Sequence, residues 1–101
     1  MIIVTGTFQL EDRSVEPDLV AAAKVVLSET RKEPGCQVYE FSRLIDAEDT
    51  FRIYEEWDSD AALAAHFETE HVKVFGAALG RLGVRGMEIS KREAGPQKPL
   101  R

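Results

Sequence analysis

The spacing of apolar residues changes along this chain in an order that few folds can accommodate. It begins with period two over Ile2–Leu10, where β-branched residues fill the positions of a strand. Between Leu19 and Thr30 the apolar residues recur at the three- and four-residue spacing of a helix. The same two periods then recur. The predicted elements are strands over residues 2–10, 36–45, 50–57 and 83–91, and helices over residues 17–32 and 61–79.

Prolines and capping residues mark the ends of these predicted elements. Ser14 precedes Pro17, which favours a helix start there, and Pro34-Gly35 ends that helix. The polar residues 46–49 form a turn of about four residues between two strands, which predicts a hairpin. Thr69 is a second capping residue inside the second helical pattern. We therefore expect that helix to break or bend near Thr69.

The resulting order is strand, helix, strand, strand, helix, strand. This is the order of the split βαβ, or ferredoxin-like, α+β fold, in which a four-stranded antiparallel sheet carries helices on one face. We expect one such domain over residues 1–92. The segment over residues 93–101 contains two prolines and no apolar cluster, so we expect a C-terminal tail there.

The second predicted strand carries apolar side chains on both of its faces. Val38 and Leu44 lie on one side, and Tyr39, Phe41 and Ile45 lie on the other. Two helices cover one face of a four-stranded sheet, so the second apolar face needs another cover. A second copy of the same sheet supplies it, and we therefore expect a homodimer formed by sheet-to-sheet packing.

Charge and length exclude several classes of protein. The 101 residues carry 13 basic and 18 acidic side chains, and a net charge of -5 does not favour nucleic-acid binding. No apolar run approaches the ~20 residues that span a bilayer. Residues 1–5 lack the basic start of a signal peptide, and the single Cys36 excludes a disulfide framework. We expect a cytoplasmic protein without nucleic-acid or membrane partners.

Residues with catalytic potential concentrate at the end of the third strand and in the second helical segment. Alternation places Glu55 and Trp57 on one face of the strand and Tyr54 on the opposite face. A carboxylate buried beside a tryptophan is costly unless it is paired, and His66 or His71 is the candidate partner. Such a pair is either an acid–base couple near neutral pH or a structural contact that holds the helix on the sheet.

Other motifs give weaker signals. His66 and His71 are five residues apart rather than the four of a helical zinc pair, and no acid completes a ligand set by spacing, so we expect no metal site. Cys36 follows a Pro-Gly turn without a nearby histidine, which is typical of a buried small residue rather than a nucleophile. The glycines of residues 80–86 precede a strand and lack the lysine of a phosphate-binding loop.

Several of these residues together resemble a known family. They are Glu33-Pro34-Gly35-Cys36, Tyr39, Phe51-Arg52-Ile53-Tyr54-Glu55-Glu56-Trp57, Ala62-Leu63, His66, His71 and Phe75. In this order and spacing, over Met1 to Arg92, the chain resembles the antibiotic biosynthesis monooxygenase domain, also described as quinol-monooxygenase-like. The resemblance implies the dimeric α/β-barrel fold, and it is more specific for the fold than for the reaction.

The resemblance also implies an activity. The family includes oxygenases of polyketide quinols and anthrones that use neither flavin nor metal, so it implies a small aromatic substrate and no cofactor. The leading interpretation makes His66 the proton acceptor and Glu55 the residue that orients it. Tyr54 or Tyr39 then donates a hydrogen bond to a substrate oxygen. The other expected substrate contacts are Trp57, His71 and Phe67.

Relatives of that family also include haem-degrading enzymes. That branch carries an asparagine within the first strand and a haem-ligating histidine one turn beyond the position of His71. This chain has Thr5-Gly6-Thr7 in the strand and no histidine in residues 72–78. The departure argues against haem degradation.

Two alternatives remain beside the oxygenase. One is an isomerase of a small phosphorylated sugar, another activity among the relatives, which needs an anion-binding pocket that Arg43, Arg52 or Arg85 could supply. The other is a dimeric ligand-binding domain without catalytic activity. The cavity discriminates among the three: apolar walls with a buried histidine favour the quinol, an arginine lining favours the sugar, and a filled core favours the binding domain.

Overall fold

The computed structural model describes residues 1–101 and contains one antiparallel sheet of four strands in the order β2-β3-β1-β4, with three helices. The strands are β1 (Ile2–Leu10), β2 (Cys36–Leu44), β3 (Ala47–Trp57) and β4 (Val84–Glu93). The helices are α1 (Glu16–Thr30), α2 (Asp60–Phe67) and α3 (Glu70–Arg81). This arrangement confirms the predicted α+β, ferredoxin-like fold. None of the helices combines the length and apolar character needed to cross a membrane.

A proline marks the start of α1 and a capping side chain marks the start of α2, both close to the predicted residues. Pro17 lies in the first turn of α1, but no side chain caps this helix, and the predicted cap Ser14 lies in a short 3-10 turn that Asp12 caps. The Asp12 carboxylate accepts a hydrogen bond from the Ser14 backbone N–H at 2.9 Å and starts a short 3-10 turn that leads into α1. The Ser59 hydroxyl oxygen accepts a hydrogen bond from the Ala62 N–H at 3.1 Å and begins α2.

The predicted break in the second helical segment is confirmed. α2 ends at Phe67 and α3 begins at Glu70. Thr69 between them has an extended backbone, with φ -76° and ψ 149°. Its hydroxyl donates a hydrogen bond to the His66 carbonyl oxygen at 2.7 Å. Thr69 therefore satisfies a carbonyl in the last turn of α2 and directs the chain into α3.

The hairpin between β2 and β3 is tighter than the sequence predicts. Its loop consists of Ile45 and Asp46, rather than the predicted turn over residues 46–49, and Leu44 pairs with Ala47 across it. Acidic residues can join a strand here because pairing uses backbone groups and leaves the side chains free to face solvent. Ile45 is fully exposed in this loop, so the expectation that it adds to an apolar sheet face is wrong.

The last strand is longer than predicted. β4 continues past Lys91 to Glu93, and the Ala94 N–H then donates to the Met1 carbonyl oxygen at 2.9 Å. The Met1 amino group donates to the Ala94 carbonyl oxygen at 3.1 Å. Residues 95–101 have no regular secondary structure.

The buried side chains lie between the sheet and the helices. The register pairs Val4 with Glu55 and Phe8 with Phe51, so alternate residues of β1 and β3 share the helix-facing side of the sheet. The Phe8 and Phe51 rings stack with their centroids 5.5 Å apart. The helices bury Leu19, Val26, Leu63, Phe75 and Ala78 against this face.

Gly6 lies where β1 passes close to β4. A Cβ atom at this position would overlap the backbone carbonyl oxygen of Glu88, and a backbone atom cannot turn aside as a side chain can. We therefore expect Gly6→Ala to lower the free energy of unfolding by about 1–3 kcal/mol, the usual cost of overpacking. Urea denaturation measures the change.

Gly76→Ala provides the matched control. Gly76 lies in α3, and no atom stands within 4 Å of where its Cβ would be. Because alanine is the better helix former, this change should raise the free energy of unfolding by about 0.5–1 kcal/mol. A Gly6→Ala protein as stable as the unsubstituted chain would contradict the close approach of β1 and β4.

Candidate active site

Three segments that are distant in sequence bring one carboxylate and two imidazoles together. Glu33 lies in the turn between α1 and β2, His66 in the last turn of α2 and His71 in the first turn of α3. Glu33 Oε2 is 2.7 Å from His66 Nδ1 and 2.7 Å from His71 Nε2. The exposed fractions of the Glu33, His66 and His71 side chains are 12%, 3% and 18%. Water therefore competes little for these hydrogen bonds.

The turn before β2 delivers Glu33 to the two histidines. Gly35 in this turn has a φ of +86°, a conformation that favours glycine, and an added Cβ would meet the Ala62 Cβ at 2.6 Å. The Gly35 carbonyl oxygen accepts a hydrogen bond from the Asp58 N–H at 2.9 Å. The turn is thus seated against the start of α2, which holds Glu33 beside the histidines.

The expected pairing of His66 with Glu55 is wrong. Glu55 is buried on the helix-facing side of β3, but its Oε1 accepts a hydrogen bond from the Trp57 indole N–H at 2.8 Å. Glu33 takes the position expected of Glu55. The sequence signal that could have found it is the Pro-Gly turn after Glu33, because that turn leads into Cys36, which pairs with Trp57 at the same end of the sheet.

The shared carboxylate oxygen decides which nitrogen of each ring carries a proton. An ionised carboxylate accepts hydrogen bonds and cannot donate them. We therefore assign Nδ1–H to His66 and Nε2–H to His71, which leaves an unshared electron pair on His66 Nε2. Burial lowers the pKa of His66, against the opposing effects of the hydrogen bond to Glu33 and its charge. A neutral His66 in this tautomer is a proton acceptor.

Aromatic side chains surround the His66 imidazole. Its ring centroid lies 4.7 Å from that of Trp57, 5.3 Å from that of Tyr39 and 5.6 Å from that of Phe67. Trp57 and Tyr39 are buried, whereas Phe67 is 57% exposed. Burial, with a contribution from the Glu55 charge, raises the pKa of Tyr39, so its hydroxyl keeps its proton near neutral pH. The structure thus gathers these three predicted contact residues around His66.

Tyr54 lies apart from this group. It is on the opposite face of β3, where its hydroxyl donates a hydrogen bond to Glu56 Oε2 at 2.6 Å. The sheet itself separates this hydroxyl from His66. The predicted catalytic role of Tyr54 beside His66 is therefore incompatible with the fold, and Tyr39 is the tyrosine that faces the helices.

An apolar cavity of about 400 Å³ lies next to the aromatic group, between α2 and the strands β1 and β4. Phe67 lines this cavity and also packs against His66, which lies behind the cavity wall. The exposed Lys91 and Asp60 join β4 to α2 at the cavity through an ion pair of 2.7 Å. The lining residues are Val4, Asp60, Leu63, Ala64, Phe67, Ile89, Ser90 and Lys91.

The three arginines considered for an anion site do not line this cavity. Each has a polar partner elsewhere: Arg43 pairs with Glu16, Arg85 with Glu11 at 3.4 Å, and Arg52 donates to the Thr5 hydroxyl at 3.2 Å. They therefore do not converge on a single phosphate-sized pocket.

The fold and the site define a class: a small ferredoxin-like α+β protein with a carboxylate-held histidine beside an apolar cavity. The chain belongs to the antibiotic biosynthesis monooxygenase family, whose family model matches residues 1–78. A crystal structure from Deinococcus radiodurans, described as a "putative antibiotic biosynthesis monooxygenase", superimposes with a TM-score of 0.91 at 28% identity. The match covers 100% of this chain and 99% of that one.

Two further relatives resemble the chain in sequence. "Putative monooxygenase YcnE" of Bacillus subtilis is 27% identical over 93 residues, which are 92% of this chain and 97% of that protein. "Uncharacterized protein sll1783" of Synechocystis is 30% identical over 74 residues, or 73% of this chain. The match spans half the length of the Synechocystis protein.

The buried Glu55 carboxyl makes the stability of the chain depend on pH. Burial raises the pKa of Glu55 from 4.5 to about 7, so the folded chain holds this proton more tightly than the unfolded chain. The group therefore destabilises the fold increasingly as pH rises from 4.5 to 7, by up to about 3 kcal/mol. Glu55→Gln should remove this loss, because the amide stays neutral and its oxygen can still accept from the Trp57 indole.

The expected result is a Glu55→Gln protein about as stable as the unsubstituted chain near pH 4 and more stable near pH 8. Urea denaturation at both pH values measures the difference. Glu68→Gln, at an exposed position directly after α2, is the control and should show little dependence on pH. A stability difference that stays constant between the two pH values would be evidence against a buried, protonated Glu55.

Proposed function

We propose that this chain is a small, cofactor-independent monooxygenase that oxidises a quinol-like or polyketide aromatic substrate with O2. The observation that carries the proposal is the buried His66, whose Nδ1 is held by Glu33 and whose ring lies among aromatic side chains. The neighbouring apolar cavity of about 400 Å³ lies within the usual size range of small-molecule sites. Membership of the family supports the class of reaction.

An electron-rich phenol needs little chemical assistance to react with O2. Once it is deprotonated, its anion can itself pass an electron to O2, so the protein must bind it, remove a proton and exclude water. In an anthrone-type substrate, a methylene group becomes a carbonyl by taking one oxygen atom. The two methylene hydrogens leave with the second oxygen atom as water.

In this proposal His66 Nε2 accepts the substrate proton. Glu33 holds the ring in the required tautomer and stabilises the imidazolium that forms, so it is a positioning residue. The Tyr39 hydroxyl donates to a substrate oxygen, and Trp57 supplies an apolar wall. The substrate enters from the cavity, and rotation of the exposed Phe67 side chain lets the substrate reach His66.

The alternatives have less support. A sugar phosphate needs a cationic pocket, whereas Arg43, Arg52 and Arg85 are engaged with separate partners outside the main cavity. A ligand-binding domain without activity remains an outcome of the activity test, since it would bind aromatic compounds without consuming O2.

We expect His66→Gln to lower kcat for a quinol or anthrone by about 10²–10⁴-fold, the usual worth of a general base. Glutamine can still donate to Glu33, so the melting temperature should change little. Oxygen consumption, with EDTA present, and a thermal melt measure the two effects. His71→Gln is the matched control, because it alters the same cluster without removing the proposed base, and it should cost less activity.

Glu33→Gln tests whether Glu33 tunes His66 for proton transfer or only packs against its ring. The charge of Glu33 raises the pKa of His66, and glutamine removes this charge while it keeps an acceptor oxygen, so that pKa should fall further. The acid limb of the profile of kcat/KM against pH should then move to lower pH. Full activity of His66→Gln, or an unshifted profile for Glu33→Gln, would refute these assignments.

We also propose that two copies pack through the sheet face opposite the helices, as members of the family are commonly dimeric. Ile3 and Val38 are half-buried on this face in the single chain. Light scattering at micromolar concentration should give about twice 11.3 kDa. Val38→Glu, which adds a carboxylate to this face, should dissociate the dimer. A mass of one chain for the unsubstituted protein would rule the dimer out.

A further inference from the structure

The cluster around His66 has the composition of a metal site. Glu33, His66 and His71 each offer one ligand atom, and these atoms lie within 4.8 Å of one another. Two imidazoles and one carboxylate form a recurrent ligand set for zinc and for iron(II) in sites that keep open positions. Spacing along the sequence does not indicate this ligand set, because Glu33 is 33 residues from His66.

We propose that Glu33, His66 and His71 bind a divalent transition-metal ion of the zinc class, and that the bound ion withdraws His66 from proton transfer. The ion is an inhibitor here and takes no part in the oxidation. Binding does not depend on the proposed function, whereas the inhibition rests on it.

The geometry requires a small adjustment. Ligand atoms in a tetrahedral zinc site lie about 3.3–3.4 Å apart, because the bonds to the ion are about 2.0–2.1 Å long. The present contacts of Glu33 Oε2 with the two nitrogens are 2.7 Å, so each must open by about 0.6–0.7 Å. Glu33 lies on a turn and His71 in the first turn of α3, so these two residues can move while His66 stays packed against Trp57.

The donor atoms also select the ion. Imidazole nitrogen suits zinc and its neighbours, whereas magnesium and calcium require sites made of oxygen atoms. Three protein ligands leave a fourth position for water. The partial exposure of Glu33 and His71 gives that water, and the ion itself, a route from solvent.

Coordination changes the tautomer of His66. A bond from the ion to Nδ1 displaces the Nδ1 proton, and that proton returns to the neutral ring at Nε2 through water. No proton is gained or lost, but Nε2 becomes a donor. It can then no longer accept the substrate proton.

The test is a titration of the full chain with Zn²⁺ in competition with a chromophoric chelator. We expect one ion per chain, no competition from Mg²⁺, and at least about 10-fold weaker binding in Glu33→Gln and in His71→Gln. Glu70→Gln, at the exposed residue beside His71, should leave the affinity unchanged. Nitrogen NMR of the imidazoles should show the His66 proton move from Nδ1 to Nε2 when Zn²⁺ is added.

The proposal is overturned if Zn²⁺ does not saturate a single site, if both substituted proteins bind it as tightly as the unsubstituted chain, or if the His66 tautomer does not change. Circular dichroism establishes that the two variants are folded. If quinols are oxidised, Zn²⁺ should stop the reaction and EDTA should restore it. Failure of the metal-free protein to oxidise any quinol would refute the proposed function and the inhibition, while metal binding is judged by the titration.

Discussion

The arrangement of the site depends on one oxygen atom of Glu33. A partly buried carboxylate must be compensated, and here two imidazole N–H groups supply the compensation. Because those groups belong to different helices, the oxygen joins the turn before β2 to both α2 and α3. The same contact sets the tautomer of His66, and so decides whether that ring accepts or donates a proton at Nε2.

Glu33 and Glu55, two carboxyl groups at the same end of the sheet, have different environments. Glu33 receives two hydrogen bonds from ring nitrogens, whereas Glu55 receives one, from the Trp57 indole. Burial is the largest cause of the raised pKa of Glu55, and the charge of Glu33 adds to it. The charge of Glu33 therefore favours the protonated form of Glu55.

The fold was predictable from sequence because its signals are local. Period two, helical spacing and Thr69 each act within a few residues, and they gave the elements, their order and the break between α2 and α3. The tight hairpin escaped prediction because acidic residues can join a strand while their side chains stay in solvent. Glu33 escaped because its position depends on Gly35 seating a turn against Ala62, a contact between segments that spacing along the chain does not record.

The pairing of Glu55 failed for a different reason. Alternation correctly placed Glu55 on the helix-facing side, but the choice of partner depends on where the Trp57 indole N–H points. A side-chain rotamer decides that direction, and no sequence pattern encodes it. The sequence thus predicts on which face of a strand a residue lies. Its hydrogen-bond partner on that face can be identified only from the structure.

The break at Thr69 is what allows the two histidines to share an oxygen. In an unbroken helix, residues five apart lie about 140° apart around the axis, so His66 and His71 would point in different directions. The turn at Thr69 brings their ring centroids to 6.2 Å. It also ends α2 after eight residues, so this short helix carries cavity-lining residues such as Leu63 and Phe67 together with the histidine behind them. The break at Thr69 therefore contributes both to the cluster of Glu33, His66 and His71 and to its separation from the apolar cavity.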